Sequence, residues 1–110
     1  MSRNLLTDFE LMILLGTLRV GDEAYGVPIA REIERTGGRS VVLGAVYAAL
    51  ERLERNGFVS SSIGEPTPER GGRAKRFFRV TPRGIRAVKE TQRALVALWT
   101  DLPQLKERRT

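Results

Sequence analysis

Between Arg70 and Arg86 the chain carries seven cations and no acid: Arg70, Arg73, Lys75, Arg76, Arg79, Arg83 and Arg86. A guanidinium presents a planar fork of donors that fits a phosphate or the outer edge of guanine, whereas an ammonium acts as a point charge. Of the 19 basic residues in the chain, only Lys75, Lys89 and Lys106 are not arginine. Gly71-Gly72 interrupts the cationic run, and a residue without a Cβ lets the backbone turn tightly and lie close to a ligand. The chemistry on offer is non-covalent recognition of an anion. The competing reading is a solvated charged surface, the usual meaning of a charge run. Placement between two strand-like segments puts recognition on an equal footing with that reading.

What is missing narrows the chemistry further. The 110 residues contain no Cys and no His, and the net charge is +6. Without Cys there is no disulfide framework, thiolate nucleophile or thiolate-bound metal. Without His the usual general base and commonest metal ligand are gone. Catalysis by paired carboxylates or by Lys survives only in principle, so a non-enzymatic binding protein with no metal or cofactor is expected. The charge is uneven. Residues 1–69 hold seven Lys+Arg against ten Asp+Glu, a net −3, while residues 70–110 hold twelve against three, a net +9. The longest apolar runs, such as Ala94 to Trp99, are far shorter than the roughly 20 residues that span a bilayer. No signal-peptide pattern follows Met1-Ser2-Arg3-Asn4, so a cytoplasmic protein of one domain, away from membranes, is expected.

These residues need elements to position them. Thr7-Asp8-Phe9-Glu10 matches a capping box, and Phe9 to Leu18 reads as a helix that is apolar almost all round. Tyr25 to Arg35 reads as a second helix, with Pro28 in its first turn, Ile29 and Ile33 on one face, and Glu32, Glu34 and Arg35 facing away. Gly37-Gly38 supplies its stop. Ser40-Val41-Val42 is β-prone and reads as a short strand. A third helix spans Leu43 to Asn56, with a core stripe at Val46, Ala49, Leu50 and Leu53. Phe58 to Ile63 and Lys75 to Val80 form a hairpin with a long basic tip. Thr81 then caps a last helix from Pro82 to Leu102, ended by Pro103. Its apolar positions Ile85, Val88, Leu95, Trp99 and Leu102, with Gln92 in the gap, make a heptad seam.

This order is that of a winged helix-turn-helix: mainly α with a small β-hairpin, here followed by a C-terminal dimerisation helix. The expected division is residues 1–80 for the winged domain and 81–110 for the dimerisation helix and tail. The major groove of B-DNA is about 12 Å wide and admits one helix, whose N-terminal residues face the bases. Leu43 to Asn56 would be that recognition helix. Small residues at Gly44, Ala45, Ala48 and Ala49 let its backbone approach the groove, although Ala-rich faces also serve close helix packing. Arg52 is the base-reading candidate. Tyr47 either donates its hydroxyl to a phosphate or packs at the core edge. Arg70, Gly71, Gly72, Arg73, Lys75 and Arg76 would form the wing, on phosphates or in the minor groove.

One such module covers only about 600–1,000 Å² of DNA, so two half-sites read by a dimer are expected. The seam residues Val88, Leu95, Trp99 and Leu102 would form the interface, closed by Phe9 and Met12 of the first helix. The alternative is that the last helix packs only on its own domain. Trp99 serves either as packing or as a ligand platform.

Three blocks resemble the PadR family of transcriptional regulators. Ala24-Tyr25-Gly26-Val27-Pro28-Ile29 resembles its AYGxxI helix. Leu43 to Glu54 is similar to its recognition helix, xGxvYxxLxrLe. Arg70 to Gly84 is similar to its wing, RGGRxkryYxlTxxG, and the whole match runs from about Leu6 to Val88. The resemblance implies a dimeric repressor on a palindromic double-stranded operator, of the short subclass with one C-terminal helix. It implies control of detoxification or transporter genes, with release by a flat aromatic effector held at the dimer interface near Trp99. It places Tyr47 on the DNA backbone, matches Tyr25 to the tyrosine that opens the preceding helix, and puts Lys75 and Arg76 at the base of the wing. Phe78 departs from the pattern by lacking a tyrosine hydroxyl, which restricts it to packing. The rival classes are an RNA-binding winged-helix protein and a module that reaches DNA only with a second protein.

Overall fold

A computed structural model of the chain describes residues 5–65 and 74–106. Helix α1 (Asp8–Val20) begins with the expected capping box: Thr7 accepts the Glu10 amide at 3.2 Å, and Glu10 accepts the Thr7 amide at 2.9 Å. Two orphan donors of the first turn are satisfied at once. Ile13, Leu14, Gly16 and Thr17 face inward, while Leu15 and Leu18 remain exposed. The all-round apolar character therefore splits into a core face and an uncovered face.

A single 3₁₀ turn (Gly21–Glu23) leads to α2 (Gly26–Gly37), whose Ile29, Ala30 and Ile33 are buried. Gly38 ends α2 in the left-handed region at φ 63°, where its amide donates to the Glu34 carbonyl at 3.1 Å. That conformation is cheap only without a Cβ. The Glu34 carboxylate then accepts the Val41 amide at 2.8 Å. Glu34, expected to face away, thus fixes the turn between α2 and α3 (Leu43–Arg55). The expected strand at Ser40-Val42 is absent: Val42 is extended, but it serves as the N-cap residue of α3. β-branched residues supply extended geometry, and a strand also needs a partner edge.

Helix α3 buries Val46, Ala49, Leu50 and Leu53, the stripe their i, i+3, i+4, i+7 spacing implies. Strands β1 (Val59–Ile63) and β2 (Arg76–Val80) pair antiparallel, with Ser61 opposite Phe78 and Ile63 opposite Arg76. Phe78 is buried, and its amide donates to the Ala24 carbonyl at 2.7 Å, tying the hairpin to the connection before α2. The core lies where α1, α2, α3 and the base of the hairpin meet, around Ile13, Leu14, Ile29, Val46, Leu50 and Leu53.

Helix α4 (Pro82–Trp99) is capped by the Thr81 hydroxyl, which accepts the Gly84 amide at 3.0 Å. Its inward face is Gly84, Ala87 and Thr91, small residues that bring the helix axis close to its neighbours. Gly84 sits directly on the Phe58 carbonyl, and Thr91 accepts the Leu6 amide at 3.1 Å. The seam residues face elsewhere. Ile85 and Val88 are half-buried, whereas Leu95 and Trp99 are 46% and 63% exposed. The helix also ends earlier than expected. Thr100 is extended and Asp101 has φ 63°, so Leu102 lies beyond the helix, before a 3₁₀ turn at Pro103–Leu105. Pro103 explains this, because it cannot donate to the Trp99 carbonyl and it disfavours helical geometry at Leu102.

Candidate nucleic-acid interface

Because α3 stands on the core by one stripe, its opposite side is open. Gly44, Ala45, Ala48 and Arg52 lie together there, with Glu51 and Arg55. Ala49, grouped with them by composition, is instead buried, three residues after Val46 on the inward stripe. A Cβ built at Gly44 would meet nothing within 4 Å. No side chain caps the start of α3, so the positive end of its dipole faces outward at Leu43 and Gly44.

Tyr47 is half-buried, with its ring lying over Gly26 in the first turn of α2. A Cβ at Gly26 would penetrate that ring and fall 2.6 Å from the hydroxyl oxygen. Gly26 is therefore the residue that lets α2 and α3 close at this point. Tyr25, the N-cap residue of α2, meets Phe77 of β2 edge-to-face with ring centroids 5.9 Å apart. Lys75 places its ammonium 4.7 Å from the Tyr25 ring centroid. This cluster joins the start of α2 to the base of the hairpin.

Arg76 is held inside the molecule. Its guanidinium pairs with Glu54 of α3, and its Nε donates to the Ser61 hydroxyl at 3.1 Å. Ser61 in turn donates to the second Glu54 oxygen at 2.6 Å. The Arg76 guanidinium also lies 5.0 Å from the Phe78 ring centroid. The three residues form a closed clasp between α3 and the hairpin. Composition signals neither Glu54 nor Ser61 as part of the site, because their pairing to Arg76 spans 22 and 15 residues. Arg70, Gly71, Gly72 and Arg73 lie outside the described residues.

A second, apolar surface occupies another part of the molecule. Val88, Leu95 and Trp99 of α4 line a cleft of about 270 Å³ with Leu11 and Leu15 of α1. Met12 lines a larger cleft of about 440 Å³ between α1 and α2, with Leu15, Leu18 and Ile33. Phe9 is drawn toward the core instead, with the Arg39 guanidinium 5.6 Å from its ring centroid. Leu102 is 41% exposed beyond the helix. Leu11, Leu15 and Leu18, neighbours of Phe9 and Met12, form a legible helical stripe at i, i+4, i+7.

Residues 14–90 match the Transcriptional regulator PadR-like family. The chain belongs to the PadR-like family of transcriptional regulators. It is 38% identical over 77 residues to the transcriptional regulator Rv3488 of Mycobacterium tuberculosis, a match covering 70% of this chain and 67% of that one. A transcriptional regulator from Clostridium thermocellum shares the fold with a TM-score of 0.70 at 23% identity, covering 89% of this chain and 92% of the other. A PadR-family regulator from Eggerthella lenta does so with a TM-score of 0.68 at 20% identity, covering 89% and 83%. PadR-like regulators bind DNA and are not enzymes, and the four-helix frame with its antiparallel hairpin has the fold of their family. Among the described residues of this PadR-like chain, no helix is long and apolar enough to cross a membrane.

Proposed function

We propose that this PadR-like regulator acts in the cytoplasm as a homodimer on a palindromic double-stranded operator, as a repressor released by a small organic effector. The observation that carries the reading is the separation of two surfaces. The small-residue face of α3 is open at one place, and the apolar face of α1 and α4 is uncovered at another. Two copies joined through Val88, Leu95, Trp99, Leu102 and the α1 leucines would present two α3 helices about one helical turn of DNA apart. Gly44, Ala45, Ala48 and Arg52 would face bases, while Tyr25, Tyr47, Lys75, Arg76 and the Arg70 to Arg73 tip would serve the backbone. Phosphate contacts supply salt-dependent affinity and base contacts set the register. An effector between the α4 helices would act by preferring a dimer whose α3 spacing no longer matches the operator.

The deciding experiment is selection from random duplexes by the purified protein, followed by gel shift at fixed salt. Recovery of a palindrome with half-sites about one helical turn apart supports the reading. Tighter binding to RNA of matched sequence, or a shift that needs a second protein, overturns it.

A further inference from the structure

The first two turns of α3 carry no side-chain group for reading a base by hydrogen bonds. Tyr47 is the one polar side chain there, and it is folded over Gly26. What stands exposed is apolar. Val42 is 74% exposed and Leu43 40%, and Gly44, Ala45 and Ala48 continue the same surface. None of these side chains is needed by the core, which α3 supplies through Val46, Ala49, Leu50 and Leu53. Single exposed apolar residues are ordinary. Two in succession at the base-facing end of a recognition helix are a surface with a chemical preference. Polar groups begin only at Glu51 and Arg52, with Arg55 a turn further on. Those two arginines put the cations toward one end of the stripe, where a phosphate wall or a guanine edge would meet them, and leave the apolar end for the groove floor.

On the floor of the major groove, the apolar group that distinguishes one base from the others is the 5-methyl of thymine. We infer that Val42 and Leu43, backed by Ala45, select thymine in each half-site by packing against that methyl group. The inference rests on the DNA-binding reading above and specifies how its base recognition works. Close approach is available because Gly44 and Ala45 add almost no side chain between the helix backbone and the bases.

The test uses the operator selected by the full-length protein. Each thymine is replaced in turn by deoxyuridine, which removes the methyl and leaves the pairing edges intact. Burial of one methyl is worth about a fourfold change in affinity. The expected result is a loss of about that size at one or two thymines per half-site. Val42→Ala and Leu43→Ala should bind the unmodified operator more weakly and respond less to deoxyuridine at those positions. Deoxyuridine that is silent throughout overturns the inference, as does a penalty unchanged in both variants. Failure to select any duplex overturns the DNA-binding reading itself, and this inference with it. The wild-type arm needs no variant to fold, and circular dichroism checks the two that are used.

Discussion

Glu54 illustrates how a single carboxylate sets the charge a DNA phosphate would encounter. It receives both the Arg76 guanidinium and the Ser61 hydroxyl, so one cation of the wing base is already neutralised within the chain. The pair is about a third exposed on both sides, which limits its worth to at most about 1 kcal/mol of stability. Its effect on binding is larger in principle, because each phosphate neutralised contributes close to one unit to the salt dependence. Glu54→Gln should therefore leave the fold intact and steepen the slope of log affinity against log salt by about one unit per bound protomer. A gel-shift series across salt concentration measures this, and an unchanged slope would show that Arg76 does not reach phosphate when freed. The contact is invisible in the sequence for a physical reason. Charge composition records how many cations exist, and only the hairpin register brings Arg76 beside Ser61 and, through it, the helix that carries Glu54.

At the scale of elements, the helices were legible where one apolar stripe meets one core. The i, i+3, i+4, i+7 stripe of α3 and the Ile29/Ile33 pair of α2 are both buried as their periodicity implies. Legibility failed where pattern and partner diverge. Ser40-Val42 has strand-forming residues and no edge to pair with. In α4 the large apolar residues mark the seam, yet the face that packs on this chain is Gly84, Ala87 and Thr91, because close approach selects for small size. Gly84→Ala tests that packing. Alanine gains up to about 1 kcal/mol in helix propensity. Its Cβ would collide with the Phe58 carbonyl and lie 2.7 Å from Val80 Cγ1, and overpacking against backbone costs about 1–3 kcal/mol or more. The clash should win, lowering the urea midpoint, and a raised midpoint would refute the packing assignment. The bridge from α1 to α2 gives a pH signature. Arg35 at 2.6 Å and Arg19 at 2.8 Å both donate to Glu32 and hold its carboxyl below the ordinary value of 4.5. A depressed folded-state value means the stabilisation is present above pH 4.5 and is lost as pH falls through the lowered one. The stability difference between wild type and Glu32→Gln should thus be constant near neutrality and vanish in acid, and a difference that persists in acid would exclude the linkage.

For the whole molecule, the radius of gyration is 16.4 Å, against about 13 Å for a compact domain of this size. The second half of α4 leaves large apolar side chains uncovered: Leu95, Val96, Leu98 and Trp99 are 46%, 53%, 75% and 63% exposed. This apolar surface is the one the proposed dimer would bury. Buried aromatic anchors dominate such interfaces, each costing about 2 kcal/mol or more when truncated, so Trp99→Ala should weaken self-association by roughly 30-fold. Sedimentation over a concentration series measures it. Because Trp99 lies outside the core, the monomer's circular dichroism should be unchanged, and an unaltered dimer population would remove Trp99 from the interface.

The seat of Gly84 on the Phe58 carbonyl has a mechanical consequence. Helix α4 is 18 residues long, or about 27 Å, and it is rigid along that length. Its first turn rests on the Phe58 carbonyl, one residue before β1, and further along Thr91 holds the Leu6 amide and Trp99 shares a cleft with Leu11 and Leu15 of α1. In the proposed dimer, a push on Trp99 would travel along that rod to the junction between α3 and β1.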